Sequence, residues 1–141
     1  MGLILFCAVC PTFLVRFILE SEHLAYRVSE LVDDSKGLDI CVIDLRSLSS
    51  YTDFLVLTSG TSDRHVQAIG EKVSSILKKE DKIKAIGTEG LREGQWGLID
   101  FGSVILHIFH QFTRNIYALE QLWESAPRLD IEQKSSTQAA P

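Results

Sequence analysis

The sequence is poor in the residues that build a disulfide framework or grip a phosphate backbone. Its three cysteines, Cys7, Cys10 and Cys41, cannot all pair with one another, and a chain of 141 residues is long enough to fold without such crosslinks. Acidic residues outnumber basic ones, and the formal net charge of −5 argues against direct specific nucleic-acid binding. These shortages favour a reducing compartment, with the cytoplasm as the default location.

Long hydrophobic runs are absent except near the amino terminus, where residues 1–19 form an apolar extension. Pro11 interrupts this run, which is shorter than the roughly 20 apolar residues that span a bilayer. The run also lacks the basic start and the clear small-residue cleavage site of a secretory signal. We therefore expect a poorly structured extension and no membrane association, whereas a genuine address in residues 1–19 would place the protein in an organelle.

Residues 20–131 carry the pattern of one folded domain. Apolar residues at helical spacing predict a first helix over residues 17–32 and a second helix that Thr61 or Ser62 caps and Asp63 favours in its first turn. Residues 132–141 have no apolar pattern and are predicted to form a disordered polar tail. The chain therefore consists of an extension, one domain and a tail.

The remaining pattern predicts strands and one last helix, which Thr113 caps. Apolar or alternating runs, with Gly102 marking a hairpin turn, predict strands over residues 39–45, 54–57, 83–86, 96–101 and 103–109. The order of elements is α-β-β-α-β-β-β-α. This order predicts a mixed α/β domain with a mixed sheet of about five strands flanked by helices.

The strand that begins at Trp96 separates its side chains into two sets. Trp96, Leu98 and Asp100 share one face of the strand, and the residues between them share the other. If the intervening residues face the core, an aromatic ring and a carboxylate point outward, a combination typical of binding hot spots. Equally, Trp96 could pack under the last helix or a loop, and Arg114 and Tyr117 carry the same ambiguity on that helix.

Residues capable of chemistry do not form a recognisable catalytic or metal-binding motif. His107 and His110 lie three apart on a strand, so they point to opposite faces, and no third ligand has a suitable spacing. Ser59 and Ser62 lie outside any Gly-x-Ser-x-Gly elbow, and helix capping explains these hydroxyls. Gly60 belongs to no nucleotide-binding pattern. We therefore predict no metal, no cofactor and no catalytic residue.

Several blocks of sequence taken together point to one known family. They include Tyr-Thr-Asp-Phe at 51–54, Ser-Gly-Thr-Ser-Asp-Arg-His-Val at 59–66, residues 38–46, 89–91, 99–100, 102–104 and 114–123, and single residues Trp96, His107 and Phe109. In these blocks the chain resembles the ribosomal silencing factors, RsfS, also called the Iojap or YbeB family. The resemblance covers residues 20–131 in one register.

The resemblance implies a small α/β domain related to the nucleotidyltransferase fold and used as a binding module. Family members bind ribosomal protein fourteen of the large subunit at the face where the small subunit docks. Occupying that face blocks subunit joining and represses translation when nutrients are short. The acidic net charge agrees, because ribosomal proteins are commonly basic and opposite potentials steer association. Free family members can also self-associate, so the resemblance allows a homodimer.

Candidate contact residues follow from the resemblance, position by position. Trp96 and Asp100 match the partner-facing strand of the family, and Gly90 and Leu91 match the loop before it. Arg64, His65 and Tyr117 match family motifs without a defined role. Leu98 is added because it shares the strand face of Trp96, so the candidate partner-binding residues are Trp96, Asp100, Leu98, Gly90, Leu91, Tyr117 and Arg64.

The alternative function is a nucleotide-binding or nucleotidyltransferase-type enzyme, which Gly60 and the hydroxyls beside it suggest. Active enzymes of related fold hold metal ions with paired acidic residues on a following strand. This chain has no such pair, and two-metal phosphoryl chemistry would leave its ions without ligands. We therefore expect a retained fold without enzymatic activity.

Overall fold

The computed structural model describes residues 20–131. The expected extension at 1–19 and tail at 132–141 lie outside the described residues. Within them the chain forms a mixed α/β domain, which confirms the predicted fold class. Its elements are α1 (residues 20–34), β1 (Leu38–Asp44), β2 (Phe54–Gly60), α2 (Asp63–Glu80), β3 (Gly87–Glu89), β4 (Trp96–Asp100), β5 (Val104–His110), α3 (Arg114–Tyr117), α4 (Leu119–Leu122) and β6 (Arg128–Leu129).

The strands form one six-stranded sheet in the order β3-β4-β5-β2-β1-β6. Strands β2 and β5 pair in parallel, and the other neighbours run antiparallel. The predicted hairpin of β4 and β5 is confirmed, with Asp100 opposite Ile105. The sheet has six strands and not the five predicted, because β3 takes the place of the strand expected at 83–86 and the two-residue strand β6 pairs with the outer side of β1.

Two helices cover one side of the sheet, which we call the helix face. Val28 of α1 and Val73 of α2 pack in the larger of two hydrophobic clusters, together with Val56 of β2 and Ile99 of β4. All four side chains are inaccessible to solvent. Because α1 and α2 lie on this side, the residues of β4 that alternate with Trp96 do face the core.

The opposite side of the sheet is covered only in part. Phe109 of β5 lies in a smaller hydrophobic cluster on this side, with Trp123 packed against it from the segment after α4. Trp96 and Leu98 border that cluster and are half-buried. We call this side the aromatic face.

The start of α2 confirms the predicted cap. The side chain of Ser62 accepts a hydrogen bond from the backbone N–H of His65 at 3.1 Å, which satisfies one of the free donors of the first turn. Asp63 lies in that turn, where its negative charge interacts favourably with the helix dipole. The helix therefore begins where the hydroxyl pattern placed it.

The predicted strand over residues 83–86 is wrong. Ile83 and Ala85 pack against the helix-face cluster without joining the sheet. Strand β3 follows them and pairs with β4, with Thr88 opposite Ile99. All three residues of β3 are exposed, so the strand has no apolar residues that would have predicted it from the sequence.

The predicted single last helix is also wrong. Ala118 adopts the left-handed conformation, with φ of 48°, and separates α3 from α4. Thr113 precedes α3 but makes no side-chain capping bond, since its hydroxyl donates to the backbone carbonyl of Gln95 at 2.7 Å. The break lets the residues on its two sides face different surroundings.

Candidate functional site

Four rings lie together on the aromatic face and form the aromatic cluster of Trp96, His107, Phe109 and Tyr117. The ring centres of Trp96 and Phe109, opposite each other on β4 and β5, are 5.3 Å apart. Tyr117, at the end of α3, lies 4.3 Å from Trp96 between ring centres and is 48% exposed. Trp96 thus packs under the segment after β5, yet remains half-buried at the surface.

A buried histidine orients the tryptophan. The indole Nε1–H of Trp96 donates to Nδ1 of His107 at 3.1 Å. Burial lowers the pKa of His107 to about 4, so its ring is neutral at neutral pH. Because Nδ1 accepts the indole hydrogen, the ring proton lies on Nε2. This hydrogen bond restricts rotation of the indole, so Trp96 presents a rigid aromatic ring at the surface.

Leu98 and Asp100 lie on the same face of β4 as Trp96, beyond the aromatic cluster. Both are half-buried, and Leu98 lies opposite His107 in the sheet. One carboxylate oxygen of Asp100 accepts the backbone N–H of Gly102 at 2.7 Å and so stabilises the hairpin turn. Sequence reasoning placed Leu98 and Asp100 correctly on the face that holds Trp96.

Tyr51 is a surface residue that the sequence offered only as part of a family block. Its side chain is 60% exposed, and its pKa is raised first by partial burial and then by the negative charge of Asp100. This electrostatic interaction places the phenol near the Asp100 end of β4. Thr52, the next residue, donates to the carbonyl of Ser103 in the turn between β4 and β5, so Tyr51 and Asp100 lie at the same end of the sheet.

Three further apolar side chains are exposed on the segment after β5, namely Phe112, Ile116 and Leu122. Ile116 is 76% exposed, whereas Leu119 and Trp123, beyond the break at Ala118, pack against the sheet. A continuous helix would have placed Ile116 on the packed side. The sequence therefore gave no signal for its exposure.

Gly90 and Leu91 hold the loop before β4. Gly90 has φ of +75°, and a Cβ there would lie 2.0 Å from the carbonyl oxygen of Trp96. Leu91 fits between Gly70 of α2 and Gly97 of β4, close enough that a Cβ on either glycine would collide with it. Leu91 thus packs toward the helix face, and its contact with a partner stays a prediction.

Arg64 lies apart from the aromatic cluster, in the first turn of α2. Its side chain is exposed, and it makes no hydrogen bond or ion pair with another described residue. The structure thus groups Trp96, Leu98, Asp100 and Tyr117, but it does not bring Arg64 to them.

The polar groups at the far ends of β2 and β5 are engaged in structural bonds. Nδ1 of His65 accepts the backbone N–H of Thr61, and Nε2 of the same ring lies 2.9 Å from the carbonyl oxygen of Ser35. Buried Arg114 donates to the hydroxyl of Ser59 at 3.0 Å and pairs with Glu120. Among residues 20–131 no group of three or more His, Cys, Asp or Glu side chains could hold a metal ion.

These features define a small mixed α/β domain with one sheet face under helices and the other presenting a half-covered aromatic cluster. A family model described as "Ribosomal silencing factor during starvation" matches residues 18–141. The chain therefore belongs to the ribosomal silencing factor family, RsfS, which confirms the resemblance and supports a ribosome-associated silencing role. No helix within the described part of the chain is long and apolar enough to cross a membrane.

Relatives from bacteria and an organelle show how far the similarity extends. The ribosomal silencing factor RsfS of Halalkalibacterium halodurans is 32% identical over 81% of this chain and 97% of its own length. The mouse protein named "Mitochondrial assembly of ribosomal large subunit protein 1" is 36% identical over 66% of this chain, which spans 42% of the mouse protein. A crystal structure of a protein from Chromobacterium violaceum is 30% identical, with a TM-score of 0.70 over 82% of this chain and 97% of its own.

Proposed function

We propose that this chain binds the large ribosomal subunit through ribosomal protein fourteen, blocks docking of the small subunit and so represses translation when nutrients are limiting. Membership of the RsfS family supports the silencing role, and the name of the mouse relative refers to the large subunit. The observation that carries the proposal is the half-buried Trp96 ring beneath exposed Tyr117. Aromatic side chains of this kind are common anchors of protein interfaces.

The surroundings of Trp96 suit a basic protein partner. Leu98 adds apolar area beside it, and Asp100 and the exposed phenol of Tyr51 add polar groups at one end. The net charge of −5 favours approach of a basic protein, because opposite potentials accelerate association. In this proposal Gly90 and Leu91 act by holding the loop that supports β4, and Arg64 makes a peripheral contact.

Co-sedimentation of the chain with purified large subunits tests the proposal. Tyr117→Ala should weaken binding by about fivefold or more, since truncating an interface anchor costs over about 1 kcal/mol. Tyr26→Ala is the matched control, because Tyr26 is a similarly exposed tyrosine, 40% against 48%, on α1 behind the other face of the sheet. Trp96→Phe removes the hydrogen bond to His107 while keeping an aromatic ring, and should weaken binding less than Tyr117→Ala.

Failure of the intact chain to sediment with large subunits would refute the proposal. Equal losses for Tyr117→Ala and Tyr26→Ala would leave the aromatic face without a role. A subunit-joining assay completes the test, because the bound chain should prevent added small subunits from forming whole ribosomes. The proposed location is the cytoplasm. Sedimentation of the chain in the absence of ribosomes reports whether the free chain forms a homodimer.

We also propose that the chain has no enzymatic activity. A polar cavity of about 270 Å³ lies near the ends of β2 and β5, but its Arg114 is already paired with Glu120 and bound to Ser59. A nucleotide phosphate would have to displace Glu120 to reach that guanidinium. Calorimetric titration with nucleoside triphosphates and magnesium should therefore give a flat trace, and saturable heat would favour the nucleotidyltransferase alternative.

A further inference from the structure

A dense group of lysines lies at the end of α2 and in the segment that follows it, on the helix-face side of the sheet. Four of the seven lysines in the sequence fall within residues 78–84. Lys78 and Lys79 occupy the last turn of α2, and Lys82 and Lys84 follow directly after it. All four side chains are exposed. Four of the 14 basic residues of this acidic chain therefore lie within seven consecutive positions.

Three of these lysines line an open groove. Lys78, Lys79 and Lys82 border a depression of about 660 Å³ along the outer side of α2, which we call the lysine groove. Ser74 and Ser75 line the same groove one turn earlier. Ammonium groups beside hydroxyl donors form a surface suited to oxygen anions, since both kinds of group donate hydrogen bonds to phosphate oxygens.

The positive charge of the groove is not neutralised by its acidic neighbours. Glu80 and Asp81 both pair with Arg27 of α1, at 2.6 Å and 3.2 Å. None of Lys78, Lys79 and Lys82 forms an ion pair with another described residue, and Glu71 is the one acidic residue that lines the groove. The residues that line the groove therefore carry a formal charge of +2, from three lysines and one glutamate, although the formal charge of the whole chain is −5.

We propose that the lysine groove is a second contact surface, which binds the phosphate backbone of large-subunit ribosomal RNA beside the protein partner. This inference rests on the proposed function, since it assumes that the chain lies on the large subunit. RNA is the partner that the observations favour, because clustered lysines gain affinity from phosphates by releasing counterions and need no base contacts. The negative net charge of the whole chain argues against sequence-specific binding of nucleic acid. It does not exclude a phosphate contact at one surface where lysines are concentrated.

A purely structural role for the lysines makes a different prediction. Lys78 and Lys79 interact favourably with the negative end of the α2 dipole, an effect worth well below 1 kcal/mol per exposed residue. Lys82 lies beyond the helix, after the Asp81 cap, and its location adds little to that effect. A dipole role would change the stability of the chain and leave the salt dependence of ribosome binding unaltered.

The salt dependence of binding to purified large subunits separates the two roles. The test variant is Lys78→Gln, Lys79→Gln and Lys82→Gln in one chain. Losing three phosphate contacts should lower the slope of log affinity against log salt by roughly 2 to 2.7. Between about 50 mM and about 200 mM salt, the intact chain should therefore lose about 20- to 40-fold more affinity than the variant.

A second triple variant provides the control. Lys36→Gln, Lys72→Gln and Arg92→Gln remove the same charge from exposed positions outside residues 78–84. Its salt slope should stay within about 1 of that of the intact chain, because general attraction by net charge is weak and screened. Equal changes in slope for both triple variants would overturn the lysine groove as a specific contact.

An RNA-free arm identifies the partner of the groove. Binding to isolated ribosomal protein fourteen should be the same for the intact chain and the Lys78, Lys79 and Lys82 variant. A synthetic duplex of large-subunit RNA should bind the intact chain at low salt and bind this variant at least about fivefold more weakly. A slope change without any duplex binding would indicate an acidic protein and overturn the RNA assignment. Subunit binding with unchanged slope would refute this inference alone, whereas no subunit binding would refute the proposed function as well.

Discussion

Replacing His107 by glutamine should remove much of the acid sensitivity of this fold. His107 is 6% exposed, and its ring accepts the indole hydrogen of Trp96. Glutamine offers a carbonyl oxygen to the same donor but does not titrate. The substitution therefore separates the hydrogen bond from the charge that acid would introduce.

The magnitude follows from the displacement of one pKa. Burial lowers the pKa of His107 from 6.5 to about 4, so between these values the unfolded chain binds a proton that the folded chain does not. Stability must then fall as pH falls, because ∂ΔG/∂pH is positive wherever the unfolded state binds more protons. A difference of about 2.5 units corresponds to about 3 kcal/mol at most, of which about 2 kcal/mol is lost at about pH 5.

Urea unfolding followed by circular dichroism, at steps from about pH 7.5 to about pH 4.5, measures the effect. The free energy of unfolding of the intact chain should fall by about 2 kcal/mol more than that of His107→Gln over this range. Trp96→Phe is the control, since it loses the hydrogen bond and keeps the buried imidazole. Parallel pH profiles for the intact chain and His107→Gln would refute the reasoning, because His107 would then titrate alike in both states.

Two further predictions concern the stability of particular turns. Gly90→Ala should lower the free energy of unfolding by about 2 kcal/mol or more, because a side chain at φ of +75° is strained and its Cβ would meet the carbonyl oxygen of Trp96 at 2.0 Å. Gly87→Ala, where no described atom lies within 4 Å of the added Cβ, should change it little in the same chemical denaturation series. Ser62→Ala should cost about 1 kcal/mol by removing the cap of α2, whereas Ser75→Ala on the exposed side of that helix should be neutral or slightly stabilising; equal effects would contradict the capping role.

The central strands could be predicted because their burial leaves a continuous local signal. Every residue of β2 is buried, and an apolar run of that length between turn residues is typical of a strand covered on both faces. A different signal, alternation of apolar and polar residues, misled at residues 83–86, where Ile83 packs against the core outside the sheet. Strand β3 escaped prediction because it is a short exposed edge, whose position is set by pairing with β4.

The break at Ala118 could not be read from the sequence, because alanine is the best helix former and favours continuation. Contacts distant in sequence hold Arg114 on one side of the break, where it donates to Ser59 of β2, 55 positions earlier in the chain. The candidate site divides in the same way. Alternation along β4 placed Trp96 and Asp100 correctly, whereas exposure of Ile116 depends on a backbone conformation that only the folded chain imposes.

The packing of Leu91 between two glycines couples the side-chain sizes that are tolerated at three positions distant in sequence. Leu91 fills the space that a methyl group on Gly70 or Gly97 would need, so enlarging either glycine requires the leucine side chain to shift. A smaller residue at 91 would release both constraints at once and leave room for alanine at 70 or 97. Evolution of this loop is therefore expected to proceed by paired substitutions across α2, β4 and the loop, with total volume conserved and β4 held in place throughout.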